Sequence, residues 1–264
     1  MEQVPEGYEY FAAKLQEVSG IDLAAYKSRQ MTRRLSGYLK RSGFKDFYVL
    51  ARRIERDPDA LDALKDFITI NVSEFFRNPE RFEYLERTVI PELCRRFGNL
   101  SVWSAGCSIG AEPYSLAIIL RERGDGARHR ILATDIDRSA LQIASRGEYH
   151  ADKLKEVSPE RLAKWFIKLD DAHYQVKPEI RRMVAFREHD LIREEYPERM
   201  HLVLCRNVVI YFTEEAKERV FTRFAGALVP GGYLMLGTTE SVLRAHSFGF
   251  EAAGPFLYRR REGS

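Results

Sequence analysis

The residues able to do chemistry in this chain stand directly after its short β-like runs. Ser104-Ala105-Gly106-Cys107-Ser108-Ile109-Gly110-Ala111-Glu112-Pro113 is a loop of small residues that lets a ligand come close to the backbone. Pro113 suits the first turn of a following helix. Gly106 and Gly110 are separated by three residues, a spacing that GxGxxG does not contain and that weakens a dinucleotide reading, and Glu112 beside a helix N-terminus would repel a phosphate. A nucleoside-like ligand therefore fits the loop better than a dinucleotide. Asp135 follows about 25 residues past Gly110, where a carboxylate accepts hydrogen bonds from both hydroxyls of a ribose. The competing reading makes Asp135 the cap of the next helix. Asp190-Leu191 can meet an adenine edge, and Arg206-Asn207 follows the next apolar run.

The ligand that best matches a ribose-binding acid, a polar adenine edge and a glycine loop without phosphate contacts is S-adenosylmethionine. Transfer of its methyl group to an oxygen is an in-line displacement that neutralises charge, so alignment and desolvation matter more than acid–base groups. No metal is needed. Arg77, in the polar-aromatic stretch from Thr69 to Pro79, can hold a carboxylate in bidentate fashion. Tyr211 in RNVVIYF can bring a phenol to the acceptor, or cap a strand as a buried aromatic. The six histidines show no ligand spacing, and Cys107 and Cys205 lie in or beside apolar runs, which suits packing better than nucleophilic attack.

These residues need elements to position them. Tyr8, Phe11, Leu15 and Val18 repeat at helical spacing, and helical patterns continue over Tyr26 to Arg41, Lys45 to Arg56 and Asp59 to Ile70, broken at Gly20, Gly43 and Asp57-Pro58. Residues 1–70 thus form an all-helical domain, and 71–98 a linker and the first helix of the catalytic part. From 99 to 264 short β-rich runs alternate with helices, the pattern of an α/β domain with a doubly wound, mostly parallel sheet. A small β-subdomain is expected at about 155–185, from Tyr174-Gln175-Val176 and Ile180 to Met183.

Composition narrows the class. With 264 residues, 45% hydrophobic and 31% charged, the chain reads as a globular protein. Its acidic and polar first residues do not form a secretory signal, and no apolar run reaches the length of a membrane span. Three cysteines without CxxC spacing fit a reducing compartment. A cytoplasmic monomer, without membrane insertion or nucleic-acid binding, is expected. Gly20 to Arg56 holds ten Lys and Arg against Asp22, Asp46 and Glu55, a net of +7, while the rest of the chain carries −4. A basic face on the helical domain would attract an acidic partner, or simply be solvated.

Over nearly its whole length the chain resembles the chemotaxis receptor methyltransferases of the CheR family. The matching segments are GIDLAAYKSRQMTRRL, TINVSEFFRNPERF, VWSAGCSIGAEPYSLA, ILATDIDRSAL, LVLCRNVVIYF and LVPGGYLMLGTTES. The resemblance implies a Rossmann-like, S-adenosylmethionine-dependent enzyme that methylates glutamate side chains on the cytoplasmic helical bundles of methyl-accepting chemotaxis receptors, leaving S-adenosylhomocysteine. Carried over by motif, Asn71, Ser73, Arg77, Gly106, Glu112, Asp135, Asp190, Leu191, Arg206 and Asn207 line the cofactor site, with Arg77 and Tyr211 nearest the chemistry. Arg29, Arg33, Arg34 and Lys40 on one basic helix would meet the receptor. The β-subdomain resembles that of members that do not use a receptor's C-terminal pentapeptide tether.

Ile109 and Ala111 depart from the family's usual GCSTGEEPYS loop, removing a hydroxyl and a carboxylate, and Thr238 and Thr239 depart from a GHSES-like tail. Those departures keep open a non-catalytic S-adenosylmethionine-binding sensor or scaffold. A nicotinamide oxidoreductase would leave TINVSEFFRN and RNVVIYF unexplained. A nucleic-acid methyltransferase would lack its NPPY-type motif where RNVV stands.

Overall fold

The computed structural model describes residues 5–69, 73–124, 126 and 128–263. The chain divides into two compact units, Met1–Ile70 with Val209–Arg219, and Asn71–Val208 with Val220–Ser264.

The first unit is built on α1 (Tyr8–Ser19), α2 (Ser28–Ser42), α3 (Phe47–Arg56) and α4 (Pro58–Ile68). Local chemistry sets their ends. Gly20 and Gly43 close α1 and α2 in the left-handed conformation, which glycine adopts without a Cβ penalty. Asp46 accepts from the Val49 N–H to start α3, and Asp57 accepts from Asp59 and Ala60 to start α4, with Pro58 in its first turn. Phe11, Leu15, Leu35, Phe47, Leu50 and Leu64 are fully buried, and the Phe11 and Phe47 rings stand 5.3 Å apart. The segment 209–219, which the sequence pattern assigns to the α/β domain, belongs to this unit. The Tyr211 carbonyl accepts from Lys27 N at 2.8 Å and Thr213 N donates to the Ala25 carbonyl at 2.9 Å.

The second unit opens with α5 (Pro79–Tyr84), a π-helical turn over Leu85–Val89, and α6 (Ile90–Phe97). The sequence predicts one helix here. Pro91 explains the wide turn: proline supplies no N–H and crowds the preceding turn, and a π-bulge makes room for it. Then follow β1 (Ser101–Ala105), α7 (Ala111–Glu122), β2 (Arg130–Asp135), α8 (Arg138–Arg146), β3 (Glu148–His150), α9 (Pro159–Trp165), β4 (Phe166–Lys168), β5 (His173–Val176), α10 (Pro178–Arg181), β6 (Val184–Glu188), β7 (Met200–Cys205), α11 (Glu214–Ala227, assigned to this unit from Val220 onward), β8 (Leu228–Leu236), β9 (Phe250–Gly254) and β10 (Leu257–Arg260). The main sheet has the order β6-β2-β1-β7-β8-β10-β9. From β6 to β8 all pairs are parallel, and β10 is antiparallel to both neighbours. A doubly wound, mostly parallel sheet is what the alternating pattern implies. The hairpin of β9 and β10 was not legible in that alternation.

One expectation needs correction. The small antiparallel sheet is β3-β5-β4, so the β-subdomain runs over 148–176 rather than about 155–185. Ile180 to Met183 is not a strand, because Pro178 in the first turn of α10 cannot donate to a ladder and has its φ preset for a helix.

Trp103 anchors the middle of the main sheet. It is fully buried in β1, its ring packs edge-on against Tyr196 and Phe224, and its Nε1 donates to Thr134 Oγ1 in β2 at 2.9 Å. Trp103→Phe keeps most of the packing but removes that donor and leaves a buried hydroxyl without it. Urea unfolding is expected to show a loss of about 1–3 kcal/mol.

Candidate functional site

In open α/β sheets ligands bind beyond the carboxyl ends of the strands, where the strand order reverses. Here the chain runs outward from β1 to β2 and β6, then returns to β7 on the other side of β1. The reversal falls between β1 and β7, which end at Ala105 and Cys205. Gly106 and Arg206 are thus the first residues beyond the switch point.

Two carboxylates flank it. Asp135, the last residue of β2, is 8% exposed. Its Oδ2 accepts from Ser108 N at 2.7 Å and its Oδ1 from Asp137 N at 3.0 Å, which ties the small-residue loop to the end of β2. Burial pushes its pKa up to about 6 against the opposing pull of those N–H groups. Asp137, not Asp135, caps α8, accepting from Ala140 N. Glu112, in the first turn of α7, accepts from Ser104 Oγ at 2.8 Å and lies 3.4 Å from Arg206 Nη1.

Arg206 draws a third segment in. Its Nη2 donates to the Arg77 carbonyl at 2.8 Å and to Asn78 Oδ1 at 2.7 Å, its guanidinium carbon is 5.4 Å from the Phe82 ring centre, and its Nε is buried without a hydrogen-bond partner. Phe76 N donates to Ser115 Oγ at 2.9 Å, and that hydroxyl donates back to the Ala111 carbonyl. The 75–78 turn is therefore fixed to α7 and to the end of β7.

Phe76, Asn78, Ser108 and Asn207 all have positive φ, between 49° and 61°. This backbone conformation is uncommon outside glycine, costs of order 1–3 kcal/mol per residue, and persists where its surroundings over-determine it. Each is met by a buried polar side chain: Ser115 at Phe76, Arg206 at Asn78, Asp135 at Ser108 and Glu240 at Asn207.

These bonds join Glu112, Arg206 and the Arg77 carbonyl in one group, while Asp135 holds Ser108 and Asn207 is held by Glu240. Asp190 and Leu191 follow β6; His189 N donates to the Asp135 carbonyl, the Asp190 carboxylate accepts from Ile192 N and burial raises its pKa. Leu191 is buried. Ser73 is half-buried, and Asn71 lies outside the described residues. Gly106 has φ 81°, and a Cβ there would stand 2.4 Å from Val208 Cγ2, so the protein's own packing already demands glycine. Cys107 and Cys205 are buried, and burial pushes both thiols well above their ordinary pKa. Sequence reasoning missed Asn78, Ser115 and Glu240. All three lie within quoted motifs, but nothing in linear spacing shows what they touch.

On α2, Arg29, Arg33 and Lys40 share one exposed helix face, opposite the buried Met31, Leu35 and Tyr38. Arg34 does not belong with them. Its Nε and Nη2 both donate to the Phe67 carbonyl, the former at 2.9 Å, its guanidinium lies over the Phe67 ring, and burial lowers its pKa.

Residues 71–254 match the S-adenosylmethionine-binding domain of CheR methyltransferase, and residues 6–69 match its all-alpha domain. The chain belongs to the CheR methyltransferase family. It is 40% identical over 253 residues to a chemotaxis protein methyltransferase of Listeria innocua, spanning 95% of this chain and 96% of that one. The Listeria monocytogenes counterpart gives the same figures, 40% over 253 residues at 95% and 96% coverage. Chemotaxis protein methyltransferase 1 of Pseudomonas aeruginosa is 36% identical over 247 residues, with 89% and 90% coverage.

As a CheR methyltransferase the chain binds S-adenosylmethionine, and its residues suit that ligand. Both acids beside the switch point are acceptors, whereas the ligand carries an ammonium, a sulfonium and two ribose hydroxyls. Backbone N–H groups of Ser108, Asp137 and Ile136 favour the ionised Asp135 carboxylate, whose two oxygens together offer about four acceptor sites. Among the described residues, no helix is long and apolar enough to cross a membrane.

The raised pKa of Asp135 has a measurable stability consequence. Its folded value of about 6 exceeds the ordinary aspartate value of 3.8, so between them the native state holds more protons than the unfolded state, and stability falls as pH rises through that window. The wild-type protein minus Asp135→Asn is expected to lose about 2 kcal/mol of relative stability between pH 4 and 7 without cofactor. Urea unfolding of both proteins across that range checks the sign.

Proposed function

We propose that this CheR methyltransferase transfers methyl groups to glutamate side chains of chemoreceptor cytoplasmic domains, forming γ-glutamyl methyl esters that tune chemotactic adaptation. The observation that carries this reading is the match to chemotaxis protein methyltransferases over 95% of the chain, both domains included. The enzyme acts in the cytoplasm as a monomer, and its short β-subdomain supports receptor recognition without a pentapeptide tether.

When bound, S-adenosylmethionine supplies an electrophilic methyl group, which the acceptor oxygen takes as the carbon–sulfur bond breaks and a neutral thioether leaves. A glutamate side chain is already ionised near pH 7, so no general base is required. The protein's task is to bind, align and exclude water. We assign Asp135 to the ribose hydroxyls, Glu112 to the cationic end of the cofactor, Asp190 and Leu191 to the adenine, and Asn71, Ser73, Gly106, Arg206 and Asn207 to the remaining wall. Arg77 holds a carboxylate, the acceptor's or the cofactor's, and Tyr211 hydrogen-bonds the acceptor oxygen. Arg29, Arg33 and Lys40 present positive charge to an acidic receptor bundle; Arg34, bonded to Phe67, braces the helical unit instead.

The two loop departures do not favour a non-catalytic module. Ile109 and Ala111 are buried, the Ile109 carbonyl accepts from Tyr149 Oη, and Glu112 keeps its bond to Ser104. Both changes fall on packed positions.

With radiolabelled S-adenosylmethionine and a purified receptor cytoplasmic domain, the label is expected to leave as methanol in mild alkali. Alkali-stable label would overturn the ester assignment. Arg77→Ala should remove most turnover while the protein stays folded by circular dichroism. Reversing charge at Arg29, Arg33 and Lys40 together is expected to lower receptor kcat/KM at least about tenfold at low salt, the loss shrinking as salt rises. Its affinity for S-adenosylhomocysteine should match the wild type.

A further inference from the structure

Glu240, which meets the Asn207 amide, has no part in the cofactor contacts assigned so far, yet it is one of the few buried carboxylates among the described residues, at 3% exposure. Its Oε2 accepts from Asn207 N at 2.8 Å and from Gly237 N at 2.6 Å, and its own N–H donates to the Gly237 carbonyl at 3.1 Å. Cys205 and Leu236 are register partners at the ends of β7 and β8. The carboxylate therefore ties together the backbone that leaves two neighbouring strands beside the switch point. A Cβ on residue 237 would lie 2.6 Å from Glu240 Oε2 and 2.8 Å from Asn207 N. Glycine at 237 is what lets the carboxylate reach both amides.

Burying a carboxylate is costly unless hydrogen bonds compensate, so a residue needed only to fill space here would be apolar. Asn207 has φ 61°, a conformation that needs outside support, and Glu240 supplies it at the Asn207 amide. On the other side of the same turn Arg206 reaches the Arg77 carbonyl and Asn78. We propose that Glu240 is a positioning residue for the cofactor site, its buried carboxylate fixing the Arg206–Asn207 turn so that both side chains, and through Arg206 the 77–78 backbone, hold one geometry. The inference rests on the reading of Arg206 and Asn207 as cofactor contacts.

The test is calorimetric affinity for S-adenosylhomocysteine, with steady-state kinetics for receptor and S-adenosylmethionine, on full-length Glu240→Ala, Glu240→Gln and Arg206→Ala. Displacing a positioned group by about 1 Å costs on the order of 100-fold in rate. Glu240→Ala is expected to weaken S-adenosylhomocysteine binding and kcat/KM for S-adenosylmethionine by about 10- to 100-fold, with receptor KM little changed. Glu240→Gln keeps a carbonyl oxygen able to accept both N–H groups and should recover affinity to within about threefold of wild type. A residue that only stabilises the fold would lower the melting temperature and the active fraction, but leave the affinity of the folded fraction intact. That result for Glu240→Ala, with Arg206→Ala impaired, overturns the proposal alone. Unchanged affinity in both overturns the cofactor-site reading with it. If Glu240→Ala does not fold, Glu240→Asp, whose carboxylate is withdrawn by one methylene, replaces it; affinity for Glu240→Asp equal to or better than that of Glu240→Gln overturns the proposal.

Discussion

The catalytic half of this molecule depends on buried polar side chains that hold strained turns at the ends of parallel strands. Ser115, Asp135, Arg206 and Glu240 are each buried, and each supports a residue in the left-handed conformation. Such backbone is unfavourable in isolation. It allows three chain segments, around residues 76, 108 and 207, to turn sharply and converge beside the reversal of strand order. The region beyond the strand ends is thus formed by turns whose backbone buried side chains brace.

The arrangement has an internal logic of charge. Glu112 and Asp135 put two carboxylates near one crevice, and Arg206 is the buried cation among them, engaged by Glu112 and by the 77–78 backbone. A group that loses solvation in this way weakens the folded state, and Asp135 does so through its raised pKa. Accepting that penalty beside a binding crevice is characteristic of sites selected for recognition rather than stability. The thiols of Cys107 and Cys205 sit in the same region but stay protonated by burial, which keeps both from competing as nucleophiles.

Much of this was legible in the sequence, because period and punctuation are local signals. Glycine and aspartate marked the ends of α1 to α4, and alternating β-like runs and helices announced the parallel sheet. Legibility failed where a residue's meaning comes from a partner far along the chain. Glu240 is 33 residues from Asn207 and Ser115 is 39 from Phe76, so no spacing rule links them. Arg34 looked like one more member of a basic stripe until its guanidinium was found on the Phe67 carbonyl. Tyr174 and Ile180 looked alike as strand residues, and only Pro178 between them separates a strand from a helical turn. The strand-end residues pointed to S-adenosylmethionine, whereas the expectation of a glutamate acceptor came only from the resemblance to a known family.

The pairing of residues 25–27 with 211–213 bears on how the chain is made. The helical unit is complete only with Val209–Arg219, which leaves the ribosome about 140 residues after α4. At typical synthesis rates that delay is on the order of ten seconds. Through that interval the nascent helices lack the strip that buries Phe212 and pairs with Ala25 and Lys27, so the first part of the protein to be synthesised is not the first to finish folding. The same interleaving means that a gene cut near residue 70 parts Ala25 and Lys27 from the strip that pairs with them, a constraint on how such enzymes can be shuffled into new fusions.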